Sequence, residues 1–150
     1  MTGTLDSWFV RYSADHKNIT NKKIHFVCVP LIFFSVLGLL SLVHLSYGIS
    51  LAHLLAVFAL IFYLRHSPSL FAGIAVIVLV SLALISWISA QQFVPAWFVF
   101  VLIFAAAWTG QFIGHKHEGK KPSFLTDLVF LLIGPAWILA HIYDRLGIRY

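Results

Sequence analysis

Two long stretches of this chain carry no Asp, Glu, Lys or Arg: residues 24–64, 41 in all, and residues 66–115, 50 in all. Roughly 20 apolar residues rising about 1.5 Å each cross a hydrocarbon layer of about 30 Å, so each run has room for two membrane-spanning helices. Breaks in the apolar pattern fall at Tyr47-Gly48, between Arg65 and Ser69, and at Gln91-Gln92, where Gly, Pro or amide residues stand. They predict helices over residues 26–45, 49–64, 70–90 and 95–114. A fifth apolar segment, residues 128–143, is only 16 residues long and holds Gly134-Pro135 near its centre, so it is expected to be broken or re-entrant.

The expected fold is an all-α integral membrane protein with four transmembrane helices and that short C-terminal fifth segment. One membrane domain covers 1–150: a polar N-terminal segment at 1–25, four spans within 26–114, a loop at 115–127, and the fifth segment with its tail at 128–150.

Composition agrees with this reading. The chain is 61% apolar and 10% charged, with mean hydropathy +0.94, beyond what a soluble core of 150 residues requires. Ten Lys and Arg stand against five Asp and Glu, but they border apolar runs and form no face that could neutralise a row of phosphates, which excludes nucleic acid as a partner. The first span is not preceded by the short cationic stretch of a cleavable leader, so it is expected to stay. A single cysteine, Cys28, excludes an internal disulfide and reads as a small buried hydrophobe.

Charge also predicts orientation. Arg11, Lys17, Lys22 and Lys23 precede the first span, Arg65 lies in the second connection, and Lys116, Lys120 and Lys121 follow the fourth span, whereas the first and third connections have no cation. The N-terminus is therefore expected in the cytoplasm, with the bacterial inner membrane favoured and the endoplasmic reticulum the counterpart in a eukaryote. On that topology the sequon Asn18-Ile19-Thr20 stays unglycosylated. Arg145 and Arg149 fit only if the fifth segment returns to the same side, which would also bring His141 back.

Four spans gather His16, His25, His66, His115 and His117 at one face, and leave His44 and His53 near the other. Imidazole is a common metal ligand and a proton carrier near pH 7, so the gathering is a candidate metal site. Gln111, His115 and Glu118 stand at i, i+4 and i+7, one stripe of a helix if it continues that far. Two His and one carboxylate with open positions describe a non-haem iron(II) site, and zinc uses similar ligands. His117 points away from His115 in a helix, so it ranks below it, and His66 beside Arg65 could ligate, meet a substrate carboxylate or simply end a helix. His16 and His25 would lie on opposite faces of one continuous helix, so joint ligation requires a bend between them. Asn18 and Asn21, both turn formers, could make that bend or orient a ligating ring from behind, as could Gln111. Gly110 and Gly114 form a small-xxx-small pair that allows close helix approach.

Taken together, Tyr12-x3-His16-x-Asn18-x2-Asn21-x3-His25-x4-Pro30, then Gln111-Phe-Ile-Gly-His115-x2-Glu118-Gly-Lys-Lys-Pro122, then Leu132-Ile-Gly-Pro135, resemble the 2-hydroxy fatty acid dioxygenase family. Those are small membrane proteins of the fungal endoplasmic reticulum, acting in phytosphingosine breakdown, with bacterial relatives. The resemblance covers nearly the whole chain. It implies an oxidoreductase of lipid metabolism in which Fe2+ and O2 remove the carboxyl-end carbon of a long-chain 2-hydroxy fatty acid (alpha-oxidation), with His16, His25 and His115 as the metal-binding and catalytic residues. Membrane lipid and a second copy of the chain are the remaining candidate partners. Two readings from other classes are a haem-carrying electron-transfer protein with two axial histidines, and a non-enzymatic membrane organiser or transporter.

Overall fold

A computed structural model describes residues 5–91, 93–121 and 129–150. Helix α1 (Leu5–Ala14) repeats apolar residues at Leu5, Trp8, Phe9 and Tyr12, one helical stripe, with Asp6 in its first turn and Arg11 in its last, both matched to the helix dipole. Helix α2 (Ile19–Ser41) starts well before the expected residue 26. Asn18 caps it, its side-chain oxygen accepting from the amides of Thr20 and Asn21, and this stabilises the polar first turns.

At the far end of α2 a small antiparallel hairpin, β1 (His44–Ser46) and β2 (Ile49–Ser50), turns through Tyr47 and Gly48, both at positive φ. Helix α3 (Leu51–His66) leads back, α4 (Pro68–Ala90) goes out again, and α5 (Ala96–Glu118) returns. Ser67 and Pro68 make the tight α3–α4 corner: the Ser67 hydroxyl accepts from the Leu70 amide, and proline at the first helical position loses no bond. Helix α5 carries His115 and His117 within it and stops at Gly119, whose φ of 73° lets the last carbonyls be capped.

α2 and α5 run antiparallel in close contact along their length. Gly38 faces Phe100, Gly110 faces Cys28, and Gly114 faces Asn21 and Ile24, so small residues set the spacing. The expected close approach at Gly110 and Gly114 is thus used for α2. Outward, Leu54, Phe58, Leu79, Leu84, Leu102 and Phe112 are exposed. An apolar surface of this extent suits lipid rather than water. α2, α4, α5 and α6 (Val129–Leu146) are long and apolar enough to cross a membrane, and the all-α membrane architecture follows.

Length alone does not make α6 a crossing helix. Arg11 lies over the Phe130 ring at 5.2 Å, the Trp137 indole N–H donates to the Ser13 hydroxyl at 2.8 Å, and the Tyr143 hydroxyl donates to the Ser69 carbonyl at 2.9 Å. Ser69 in turn donates to the Arg149 carbonyl, and Tyr150 meets Phe9. Trp8 packs on Phe62 and His66, which puts α1 and the α3–α4 corner at the same end of the bundle. Both ends of α6 therefore touch that end, and α6 lies across it. The crossing is made instead by the shorter α3, which must bridge the hairpin and the corner. α6 is one continuous helix through Pro135, not a broken one, and Tyr63 of α3 donates to its Leu132 carbonyl. Gln92, Pro122, Leu128 and the rest of the expected loop at 122–127 lie outside the described residues.

Candidate metal centre

His16 sits in the short connection between α1 and α2, His25 within α2, and His115 near the end of α5; all three are buried. Their ligand atoms lie within 4.8 Å of one another, the one such cluster of three or more His, Cys, Asp or Glu among the described residues. The bend that His16 and His25 require comes before α2: the chain turns between Ala14 and Ile19 and lays the His16 ring against His25, with the two Nε2 atoms 2.8 Å apart.

The opposite ring nitrogens set the tautomers. Nδ1 of His16 meets the Tyr12 carbonyl at 2.5 Å and Nδ1 of His25 meets the Asn21 carbonyl at 3.0 Å. Carbonyl oxygens only accept, so both Nδ1 atoms donate, and two neutral rings would turn Nε2 lone pairs on each other. Such a pair is stable only with a cation between or beside it, and a backbone carbonyl behind each ring is how ligating histidines are commonly held. Burial lowers the pKa of His16 against the opposing pull of the Tyr12 carbonyl, which favours the neutral, ligating form at pH 7. His115 adds a buried Nδ1 with no hydrogen-bond partner. Three imidazoles with free lone pairs fit a divalent transition metal.

Glu118 stands close by in a different role. Its Oε1 accepts from the Lys17 amide at 2.8 Å, and its Oε2 accepts from the Asn18 amide at 2.9 Å and the Asn21 side-chain amide at 3.0 Å. The carboxylate thereby ties the end of α5 to the turn that positions His16 and to the start of α2. Asn18 adds a bond to the His117 carbonyl at 3.4 Å, and Lys120 pairs with Asp15 at 2.7 Å. His117 itself is exposed on the helix, away from the cluster. His66 is exposed at the end of α3 against Trp8 and Phe62. His141 packs against Trp137 with the rings tilted and lies outside the three-histidine group. His44 lies in the distant hairpin, and His53 caps α3 with Ser50.

A cavity of about 50 Å³ adjoins the three rings. Tyr12, His16, His25, Gln111 and His115 form its polar wall; Val29, Ile32, Phe33, Phe130 and Leu131 form the apolar one, with Gly134 and Pro135 beside them. The chain can thus hold a cation and a polar head at one place and an apolar tail next to it. Sequence reasoning did not assign Tyr12 a role, nor did it identify α1 or the part of α6 that covers the site. The α1 signal was the stripe Leu5, Trp8, Phe9, Tyr12; the covering by α6 had no local signal.

The family model described as "2-hydroxy-palmitic acid dioxygenase Mpo1-like" matches residues 2–146. The chain is also 34% identical over 140 residues to "2-hydroxy-palmitic acid dioxygenase MPO1" of Saccharomyces cerevisiae, covering 91% of this chain and 78% of that one. No solved structure matches. With a family match over almost its full length and a relative this similar, the chain belongs to the Mpo1-like family.

Proposed function

We propose that this protein is an iron(II)-dependent dioxygenase that shortens long-chain 2-hydroxy fatty acids by one carbon at the membrane. The observation that carries the reading is the placement of three buried imidazoles, each with a ring nitrogen within 4.8 Å of the others, on the polar wall of a cavity whose other wall is apolar. The family and the similar Saccharomyces cerevisiae protein, named for 2-hydroxy-palmitic acid, support the substrate class.

His16, His25 and His115 would hold the ion. Iron(II) would supply there the open positions and reducing electrons that O2 activation needs. The Tyr12 and Asn21 carbonyls keep the His16 and His25 rings in register, and Glu118 holds the intervening turn. The apolar wall excludes water and receives the carbons next to the head. A cavity of about 50 Å³ has room for one or two waters, so the rest of the chain extends between lipid-facing helices. The same size gives a porphyrin no place beside these rings, so the haem reading gains nothing from the geometry.

Protein purified in detergent and reconstituted anaerobically with iron(II) is expected to consume O2 and convert 2-hydroxypalmitate to the acid one carbon shorter. No shortened acid, with iron bound and the protein folded, would remove this reading. A non-enzymatic organiser would instead be indifferent to histidine replacement.

On this reading the site faces the cytoplasm, which the flanking cations support. Since Tyr150 packs near Phe9, α1 and Tyr150 share a side. A Tyr150→Cys variant is expected to react with a membrane-impermeant thiol reagent only after the cytoplasmic face is opened; labelling of intact cells would reverse the orientation.

A further inference from the structure

Tyr12 is 5% exposed, and its hydroxyl finds no hydrogen-bond partner among the described residues. Its ring is fixed on several sides: it stacks on His16 at 4.1 Å with the planes 14° apart, meets the edge of His25 at 6.4 Å, and is packed by Trp137 and Phe130. The hydroxyl reaches toward Gly134, where a Cβ would stand 3.2 Å from it, so the missing side chain leaves it a small space. Both residues line the cavity beside the three histidines. A phenylalanine would pack in the same aromatic nest without setting an unpaired hydroxyl at the cavity. The hydroxyl therefore has no structural use within the described fold.

Among the described residues the cavity wall holds no lysine or arginine, and Lys120, a nearby cation, is engaged with Asp15. A carboxylate entering it must find its hydrogen bonds on neutral donors. A phenol keeps its proton at neutral pH and is a hydrogen-bond donor. Neutral donors to an anion give strong, charge-assisted bonds when water is excluded.

We infer that Tyr12 contacts the substrate, its hydroxyl donating a hydrogen bond to the carboxylate of the 2-hydroxy acid bound beside His16, His25 and His115. The inference rests on the functional reading above. It separates two jobs within one motif: the Tyr12 carbonyl orients His16, and its side chain recognises the acid head. Replacing the side chain leaves the first job intact.

The test is Tyr12→Phe, measured by metal content, thermal stability and equilibrium binding of 2-hydroxypalmitate to anaerobic cobalt(II)-loaded protein, followed by the cobalt absorption. The expected result is unchanged metal content and stability, with about 10- to 100-fold weaker acid binding and a matching rise in KM. Gly134→Ala provides a second variant, since its methyl group would crowd the hydroxyl's space; it too is expected to weaken acid binding while metal is retained. Equal affinity in Tyr12→Phe and wild type overturns the inference. Loss of metal in Tyr12→Phe also overturns it, since the side chain would then act through His16. Wild-type protein that takes up metal but shows no affinity for the acid overturns the functional reading itself, and this inference with it.

Discussion

Replacing any one of His16, His25 and His115 with Ala is expected to lower the turnover of 2-hydroxypalmitate at least about 1000-fold, a loss of about 4 kcal/mol of transition-state stabilisation. Each ring supplies one of three ligand atoms lying within 4.8 Å of one another, and the buried site has no neighbouring carboxylate free to replace it, because both Glu118 oxygens are already bonded. Stability separates ligation from packing. With both Nδ1 atoms donating to carbonyls, the Nε2 lone pairs of His16 and His25 would repel each other wherever no cation lies between them, so removing His25 relieves a repulsion as well as a contact. His25→Ala is therefore expected to change the metal-free Tm little. Iron(II) or cobalt(II) at 100 times Kd should stabilise the wild type by about 2.7 kcal/mol and leave each alanine variant unmoved. A metal-dependent rise in Tm that survives all three replacements would place the ion elsewhere.

The second large effect is expected at Gly114. A Cβ there would stand 2.5 Å from Asn21 Oδ1 and 3.3 Å from Ile24 Cγ2, too close for either helix to stay where it is. Asn21 supplies the carbonyl behind His25 and the amide that holds Glu118, so a shift of α2 at this level moves both. Gly114→Val should cost about 1–3 kcal/mol as overpacking, with metal binding and activity lost together although every ligand is present. Wild-type metal content in a stably folded Gly114→Val protein would show that the α2–α5 spacing does not set the site. For contrast, a cavity-forming change in the same bundle, Phe100→Ala, should cost about 3–5 kcal/mol of stability and leave metal affinity near that of the wild type, since Phe100 packs on Gly38 far from the histidines.

Much of the architecture is legible along the chain because lipid imposes a one-dimensional rule: about 20 apolar residues without charge make a crossing. The breaks at Tyr47-Gly48 and at Arg65 to Ser69 fall where the hairpin and the α3–α4 corner form. Helix ends were harder to read. The start of α2 at Ile19 depends on Asn18 capping in a stretch that hydropathy treats as polar flank, and the extension of α5 to Glu118 depends on Gly119 taking positive φ. Pro135 was a misleading local signal: enclosure by α1, α2 and α4 keeps α6 one helix despite the lost N–H.

For the site, residue types and spacing already separated His115 from His117, since an α-helix turns successive alternate residues to opposed faces. They could not say that Glu118 holds a turn, because that depends on amides about a hundred residues away in the chain. Nor could they find that the Tyr12 hydroxyl has no hydrogen-bond partner among the described residues, which depends on how α6 packs over it. By itself, then, the sequence determined the membrane class, the apolar runs, the histidines able to ligate and the family pattern, all of which follow from local composition and short spacings. Only the tertiary structure decided that His16 folds back onto His25, that α6 lies across the bundle, and that polar and apolar walls meet in one cavity. Each of these is a long-range contact, selected by close packing and by the need to satisfy buried polar groups, and neither constraint is written in any single segment.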